Sequence, residues 1–347
     1  MAVFTCAGCG AALTVPVRRV VLPAHARARY GNGPLDVLME PGTYAIDPLP
    51  SGPPWRLWAE VDAAEAASHG VYAPTAVLSF GPAGAVAVAP GDVRGTEFIP
   101  DRLDGTCCGL SAGRGGPNLA CARCGLPVAT RVDDCGLWQA VWLAPGTVDI
   151  EHDAADGTST PWEELLDQQP GLPPVEQPGH WSPLWQASLA VTLAHVVTAS
   201  GGHPVAVAVG PTADVLRRAL DALLPTGPTA RILALAGPGL PEVAADIAVV
   251  PQHPQTGELW APVRAPVAAP LSWEVWAYLA FHRERKPVPI PAQAFRDDPP
   301  PRMPFWTFRP SRSVFLDTLV RLPGVREPWL RAIYDRVNER WAGLPLW

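Results

Sequence analysis

Cys6-Ala7-Gly8-Cys9-Gly10 and Cys121-Ala122-Arg123-Cys124-Gly125 are nearly the same pentapeptide, with 111 residues between Cys9 and Cys121. Two residues between the cysteines let one turn aim both sulfurs at a metal about 2.3 Å away, and the glycine next in line lets backbone amides reach the thiolates. Four thiolates suit a tetrahedral ion, so Cys6, Cys9, Cys121 and Cys124 are the expected ligands of a structural Zn2+. Four sulfurs also hold iron, because ligand type alone does not separate the two metals. Zinc is preferred because nothing else in the chain points to electron transfer.

Long separation is no obstacle to such a site. Closing a 111-residue loop costs about 4 kcal/mol of chain entropy, against the apparent ~10 to 16 kcal/mol that structural zinc contributes. The metal is therefore expected to tie the first strand to the last part of the amino-terminal half. A more local set, Cys107 or Cys108 with Cys121, Cys124 and Cys135, closes more cheaply by about 2 kcal/mol. It would leave the Cys6/Cys9 knuckle without a purpose. Outside the paired knuckles, Cys107, Cys108 and Cys135 read as small buried hydrophobes, with a redox thiol pair as the sharper alternative.

The two CxxCG knuckles resemble those of the zinc-ribbon class, in which knuckles on neighbouring β-hairpins share one structural zinc. The likeness spans ten to twenty residues and departs from the compact ribbon in its long insertion. It implies a structural metal and, as one function, nucleic-acid binding.

No other motif carries a reaction. Lys286 is the sole lysine among 26 basic residues, which excludes a phosphate-binding GK[ST] loop. HExxH, GxSxG and EF-hand patterns are absent, and the eight histidines never approach metal-ligand spacing. His195, inside an apolar helix, reads as a hydrogen-bonded core residue. Asp133-Asp134 beside Cys135 reads as a turn.

These residues must be placed by two domains, which is what a 347-residue chain of 48% hydrophobic composition suggests. Its 31 glycines and 43 prolines stop short of the roughly 25 to 30% that marks low-complexity sequence, so a loop-rich fold is expected. The fold class reads as α+β. Residues 1–143 form a β-rich zinc-binding domain, with strands over 15–22, 76–80, 85–89, 128–132 and 137–143 and a short helix over 59–68. Residues 144–180, with acidic but no basic side chains and several prolines, read as a linker that leaves room for a short helix at 162–168 behind Pro161. Residues 181–347 read as a small α/β domain with a parallel sheet and a carboxy-terminal helical extension. Its expected elements are helix 184–199, strand 205–209, helix 212–224, strand 231–236, a short helix after Leu240, strand 247–250, a helix after Ser272, and helices over 313–321 and 328–341. Val205, Val207 and Val209 read as a continuous apolar strand.

An open α/β sheet binds ligands beyond the carboxyl ends of its strands, which places candidate ligand-binding residues at Thr212, Asp214, Gly237, Gly239 and His253. Capping by Thr212 and turns at the glycines explain the same residues. The first turn lacks GxGxxG, which disfavours a dinucleotide. Fourteen tryptophans, including the pairs Trp138/Trp142, Trp181/Trp185 and Trp273/Trp276, read mainly as core, with an exposed partner surface as the alternative.

Residues 1–270 hold 14 basic and 25 acidic side chains, whereas 271–347 hold 12 and 8. Such a modest positive segment beside an acidic body favours intramolecular docking over nucleic acid. The start of the chain has no signal-peptide pattern, and the apolar stretch 184–199 falls short of the ~20 residues that cross a bilayer. A cytoplasmic protein with reduced thiols and no membrane association is expected. The function that follows is binding or scaffolding, with a protein partner, around a structural zinc. The alternatives are an enzyme using the α/β strand ends and a zinc-ribbon nucleic-acid binder.

Overall fold

The computed structural model describes residues 1–28, 35–103, 109–152, 159–168, 171–176, 179–228, 230–262, 267–282 and 307–339. Packing divides the chain into two units, 1–159 and 160–347. Among the described residues they carry seven α-helices and mixed sheets, an α+β architecture. Cys107 and Cys108 lie outside the described residues, as does the end of the helix expected over 328–341.

The first unit contains β1 (Ala2–Cys6), β2 (Arg18–Arg19), β3 (Thr43–Ile46), β4 (Trp55–Leu57), α1 (Ala63–Ser68), β5 (Val77–Ser79), β6 (Val86–Val88), β7 (Thr96–Phe98), β8 (Leu119–Cys121), β9 (Pro127–Val132), β10 (Ala140–Leu143) and β11 (Val148–His152). Seven of these strands form one sheet in the order β2-β3-β6-β10-β9-β8-β7. Its pairs are antiparallel except β2 with β3. The antiparallel pairs β1-β11 and β4-β5 stand apart from it.

Alternation along the strands sends side chains to two cores. Val86, Val88, Val141, Leu143 and Val128 face a cluster with Ala2, Phe4, Cys6 and Leu13, while Ala45, Ala87 and Ala140 face a second one with Leu38 and Met39. Phe4 meets Tyr44 edge-on at 5.1 Å. Thus β1 lies on one face of the large sheet, with Ala2, Phe4 and Cys6 in the core and Thr5 also buried.

The linker expected over 144–180 contains β11, in full register with β1, and α2 (Trp162–Gln168). Its acidic residues Asp149 and Glu151 are exposed, which is why the composition reads as solvated chain. The strand expected over 15–22 shrinks to β2 and an isolated bridge from Val17 to Ala2.

The second unit continues from α2 with α3 (Pro183–Ala199), β12 (Val205–Val207), α4 (Pro211–Leu223), β13 (Arg231–Leu235), β14 (Ile247–Gln252), β15 (Val267–Ser272), α5 (Trp273–Phe281), α6 (Arg312–Leu319) and α7 (Pro328–Asn338). The four strands are all parallel and stand in sequence order. Ten of the seventeen α3 residues are buried, so this helix is apolar all round because it is covered all round. Thr192 spends its hydroxyl on the carbonyls of Ser188 and Pro270, which removes the cost of burying it.

Two expectations fail here for physical reasons, and one strand was not expected. No helix follows Leu240, since Gly239 turns at φ +77° and Pro241 follows two residues later. Val209 leaves the sheet and is 93% exposed, because β12 is an edge strand that ends at Val207. The unexpected strand is β15, which carries Pro270 and tolerates it because β15 is the opposite edge. Among the described residues, no helix is long and apolar enough to cross a membrane.

Candidate metal centre

Each knuckle is a turn that closes a hairpin. In the first, Cys6 accepts at its carbonyl from the amides of Cys9 (3.2 Å) and Gly10 (2.8 Å), and its own amide donates to Ala11 (2.8 Å). In the second, Gly125 donates to the Cys121 carbonyl and the Cys121 amide donates to Leu126, both at 2.8 Å. Gly10 (φ 69°) and Gly125 (φ 76°) occupy the left-handed region that the turn needs, so the glycine of each CxxCG is a backbone requirement.

Neighbouring chain anchors both turns. The amide of Ala7 donates to Thr147 at 3.1 Å, ahead of β11, and that of Ala122 donates to Gly95 at 2.9 Å, ahead of β7. Cys6 and Cys121 end β1 and β8 and are buried in the same core. The long insertion thus folds into the sheet that brings its own ends together.

The result is a four-sulfur cluster. Sγ of Cys6 and Cys124 lie 3.6 Å apart, Sγ of Cys9 and Cys121 lie 3.7 Å apart, and all four fall within 4.8 Å of one another. These distances exceed a disulfide bond of about 2.05 Å. They match the roughly 3.8 Å edge of a tetrahedron with 2.3 Å metal–sulfur bonds. Cys6 and Cys121 are buried, Cys9 is half-buried and Cys124 is exposed.

Electrostatics favour a cation. Burial raises the Cys121 thiol, but the amides of Arg123 and Cys124 and the thiols of Cys9 and Cys6 outweigh it and bring it down to about 7. The amide of Leu126 lowers the Cys124 thiol, yet burial and the other sulfurs push it up to about 12. A first thiolate therefore makes the next one costly unless a cation sits among them. The donor set fits a divalent thiophilic metal, and the four cysteines can hold one.

Cys135 is half-buried and is not one of the four clustered sulfurs, while Cys107 and Cys108 of the local alternative lie outside the described residues. Asp133 pairs with Arg131 at 3.4 Å, and Asp134 accepts from the Cys135 amide, as a turn requires.

The second candidate site is placed differently. Thr212 and Asp214 occupy the first turn of α4 beyond β12, Gly237 and Gly239 follow β13, and His253 follows β14, at the carboxyl ends of three adjacent strands. Apolar side chains, most of them aromatic, crowd the ends of β13 and β14, while Asp214 is exposed. A Cβ at Gly237 would fall 2.1 Å from the Trp276 ring, and one at Gly239 would meet Leu166 and Phe281 at 3.4 Å. His253 is 4% exposed. Its Nε2 donates to the Thr160 carbonyl (2.8 Å), while Nδ1 accepts from the amides of Gln255 and Thr256 (3.2 Å each). Trp162 meets its ring edge-on at 5.0 Å. The imidazole is thus a latch that fastens α2 to the end of β14.

Sequence reasoning missed Thr160, Trp162 and Gln255 as the partners of His253. The spacing of Trp273 and Trp276 was the available signal that indoles fill this end of the sheet: Trp276 donates to the Ala236 carbonyl at 3.0 Å and stacks on Trp273 at 5.3 Å. Trp185, Trp273 and Trp276 are all buried. Arg312 donates to the carbonyls of Val337 and Asn338, and Arg336 to those of Ala222 and Leu223, so two arginines of the basic segment cap helix ends within their own unit. No family model, curated protein or solved structure matches the chain.

Proposed function

We propose that the protein binds zinc at a structural tetrathiolate centre of zinc-ribbon type and works as a binding or scaffold protein for a protein partner. The observation that carries this reading is the group of four sulfurs within 4.8 Å of one another, whose two contacts of 3.6 and 3.7 Å lie close to a tetrahedral edge. Catalytic zinc keeps a position for water or substrate, whereas four thiolates fill the coordination sphere. The aromatic filling of the strand ends in the second unit supports binding over catalysis, because it occupies the place where an α/β sheet would hold a substrate.

Metal content tests the reading directly. Full-length chain purified under reducing conditions is expected to hold one zinc, and Cys121→Ser none, by elemental analysis. Iron in the same protein, or a Cys121→Ser chain that keeps its metal, would overturn it.

A further inference from the structure

The four sulfurs are not equally accessible. Cys124 is exposed and its contact, Cys6, is buried, with 3.6 Å between the two sulfurs. Above this edge of the cluster lies Gly8, itself exposed, where a Cβ would stand 3.5 Å from Cys124 Sγ and 3.7 Å from Cys6 Sγ. The missing side chain leaves the Cys124 side of that pair open to solvent. At the matching position of the other knuckle stands Arg123, whose guanidinium reaches the Cys9 carbonyl at 3.4 Å. Both sulfur contacts, Cys6 with Cys124 and Cys9 with Cys121, run from one knuckle to the other.

We propose that the Cys6–Cys124 edge is an oxidation site, at which a peroxide joins the two sulfurs in a cross-knuckle disulfide that keeps the hairpins tied after the metal leaves. The Cys124 thiolate attacks one peroxide oxygen, the O–O bond breaks, and the departing hydroxide takes a proton to become water. Sulfur in the resulting sulfenic acid has lost two electrons to the peroxide. The Cys6 thiolate then attacks that sulfur and displaces hydroxide, which takes a second proton and leaves as water. In sum, two thiolates, one hydrogen peroxide and two protons give one disulfide and two waters. Closing from 3.6 Å to a bond of about 2.05 Å requires side-chain rotation at the two cysteines. A metal stripped of two thiolates is left with half its ligands and is released.

The site is the one assigned above to zinc, and the two readings can fail separately. Zinc-loaded full-length chain is treated with hydrogen peroxide while a chromophoric chelator reports released zinc, and the product is mapped by unreduced peptide mass spectrometry. Zinc release is expected together with a peptide pair linking Cys6 to Cys124. Gly8→Ala, whose methyl would sit between the Leu126 side chain at 3.3 Å and the exposed Cys124 sulfur at 3.5 Å, should bind the same zinc and release it about threefold more slowly or slower still, since thiol reaction follows access. The oxidised chain should keep amide protection in β1. Linkage within a knuckle, sulfinic acid at Cys124 without a disulfide, or a wild-type rate in Gly8→Ala would overturn the proposal. Protein that carries no metal refutes the zinc reading alone. Peroxide treatment of that metal-free chain still decides the oxidation site by the same mapping.

Discussion

Cys121 is the residue on which the amino-terminal unit turns, since it ends β8, lies in the core beside Cys6 and carries a thiol brought down to about 7. Replacing it by serine removes a soft ligand and leaves three thiolates. Cys121→Ser is expected to lower stability by several kcal/mol in denaturant unfolding, a part of the ~10 to 16 kcal/mol of metal binding. Arg123→Ala, exposed beside it, should change stability by less than about 0.5 kcal/mol. His25 sets a second residue-scale expectation. Burial lowers its pKa from 6.5 to about 4, and its ring stands edge-on to Trp138 at 4.5 Å. Between those two values the unfolded chain takes a proton that the folded chain refuses. The contribution is therefore complete above pH 6.5 and is lost as pH falls toward 4. His25→Gln should flatten the stability profile across that window relative to wild type, measured as denaturation midpoints at pH 7 and pH 4.5.

At the scale of elements, the strand ends of the second unit are a packing problem. Gly237→Ala drives a methyl into Trp276, whose indole is fixed by the Ala236 carbonyl, and should cost about 1 to 3 kcal/mol. His253→Ala would strand the Thr160 carbonyl and the amides of Gln255 and Thr256 and should cost a similar ~1 to 3 kcal/mol, with α2 losing protection in hydrogen exchange. Loss of a small-molecule affinity without loss of stability would contradict both. The periodic elements were legible: α3 and α4 begin within one residue of their expected starts, and β13 and β14 fall where apolar runs meet turn residues. Less legible were elements defined by partners. β11 reads as acidic linker because only its pairing with β1 makes it a strand, and β15 hides behind a proline that an edge position permits. Fitting the knuckles together was legible because their chemistry repeats. The glycines at 237 and 239 invited a ligand reading, because a sequence does not say whether a glycine makes room for a substrate or for an indole.

For the whole molecule, the cluster is a long-range tie within residues 1–159, joining β1 to the sheet through sulfurs from distant stretches of chain. Stripping the metal with a strong chelator under reducing conditions should therefore open β1, β8 and both knuckles to hydrogen exchange, peptide by peptide. Protection in β13 and β14 should persist, since their backbone bonds and core residues belong to the other unit. Uniform loss across both units would refute a tie confined to the first.

Separation of the knuckles also imposes an order on biosynthesis. Cys6 and Cys9 leave the ribosome ahead of the second knuckle, and at roughly 5 to 20 residues per second their counterparts follow about 6 to 23 seconds later. During that wait the first knuckle offers only two of the four clustered sulfurs, and a metal held by all four would be captured as β8 and β9 arrive, before β10 joins β9 to β6 and completes the sheet.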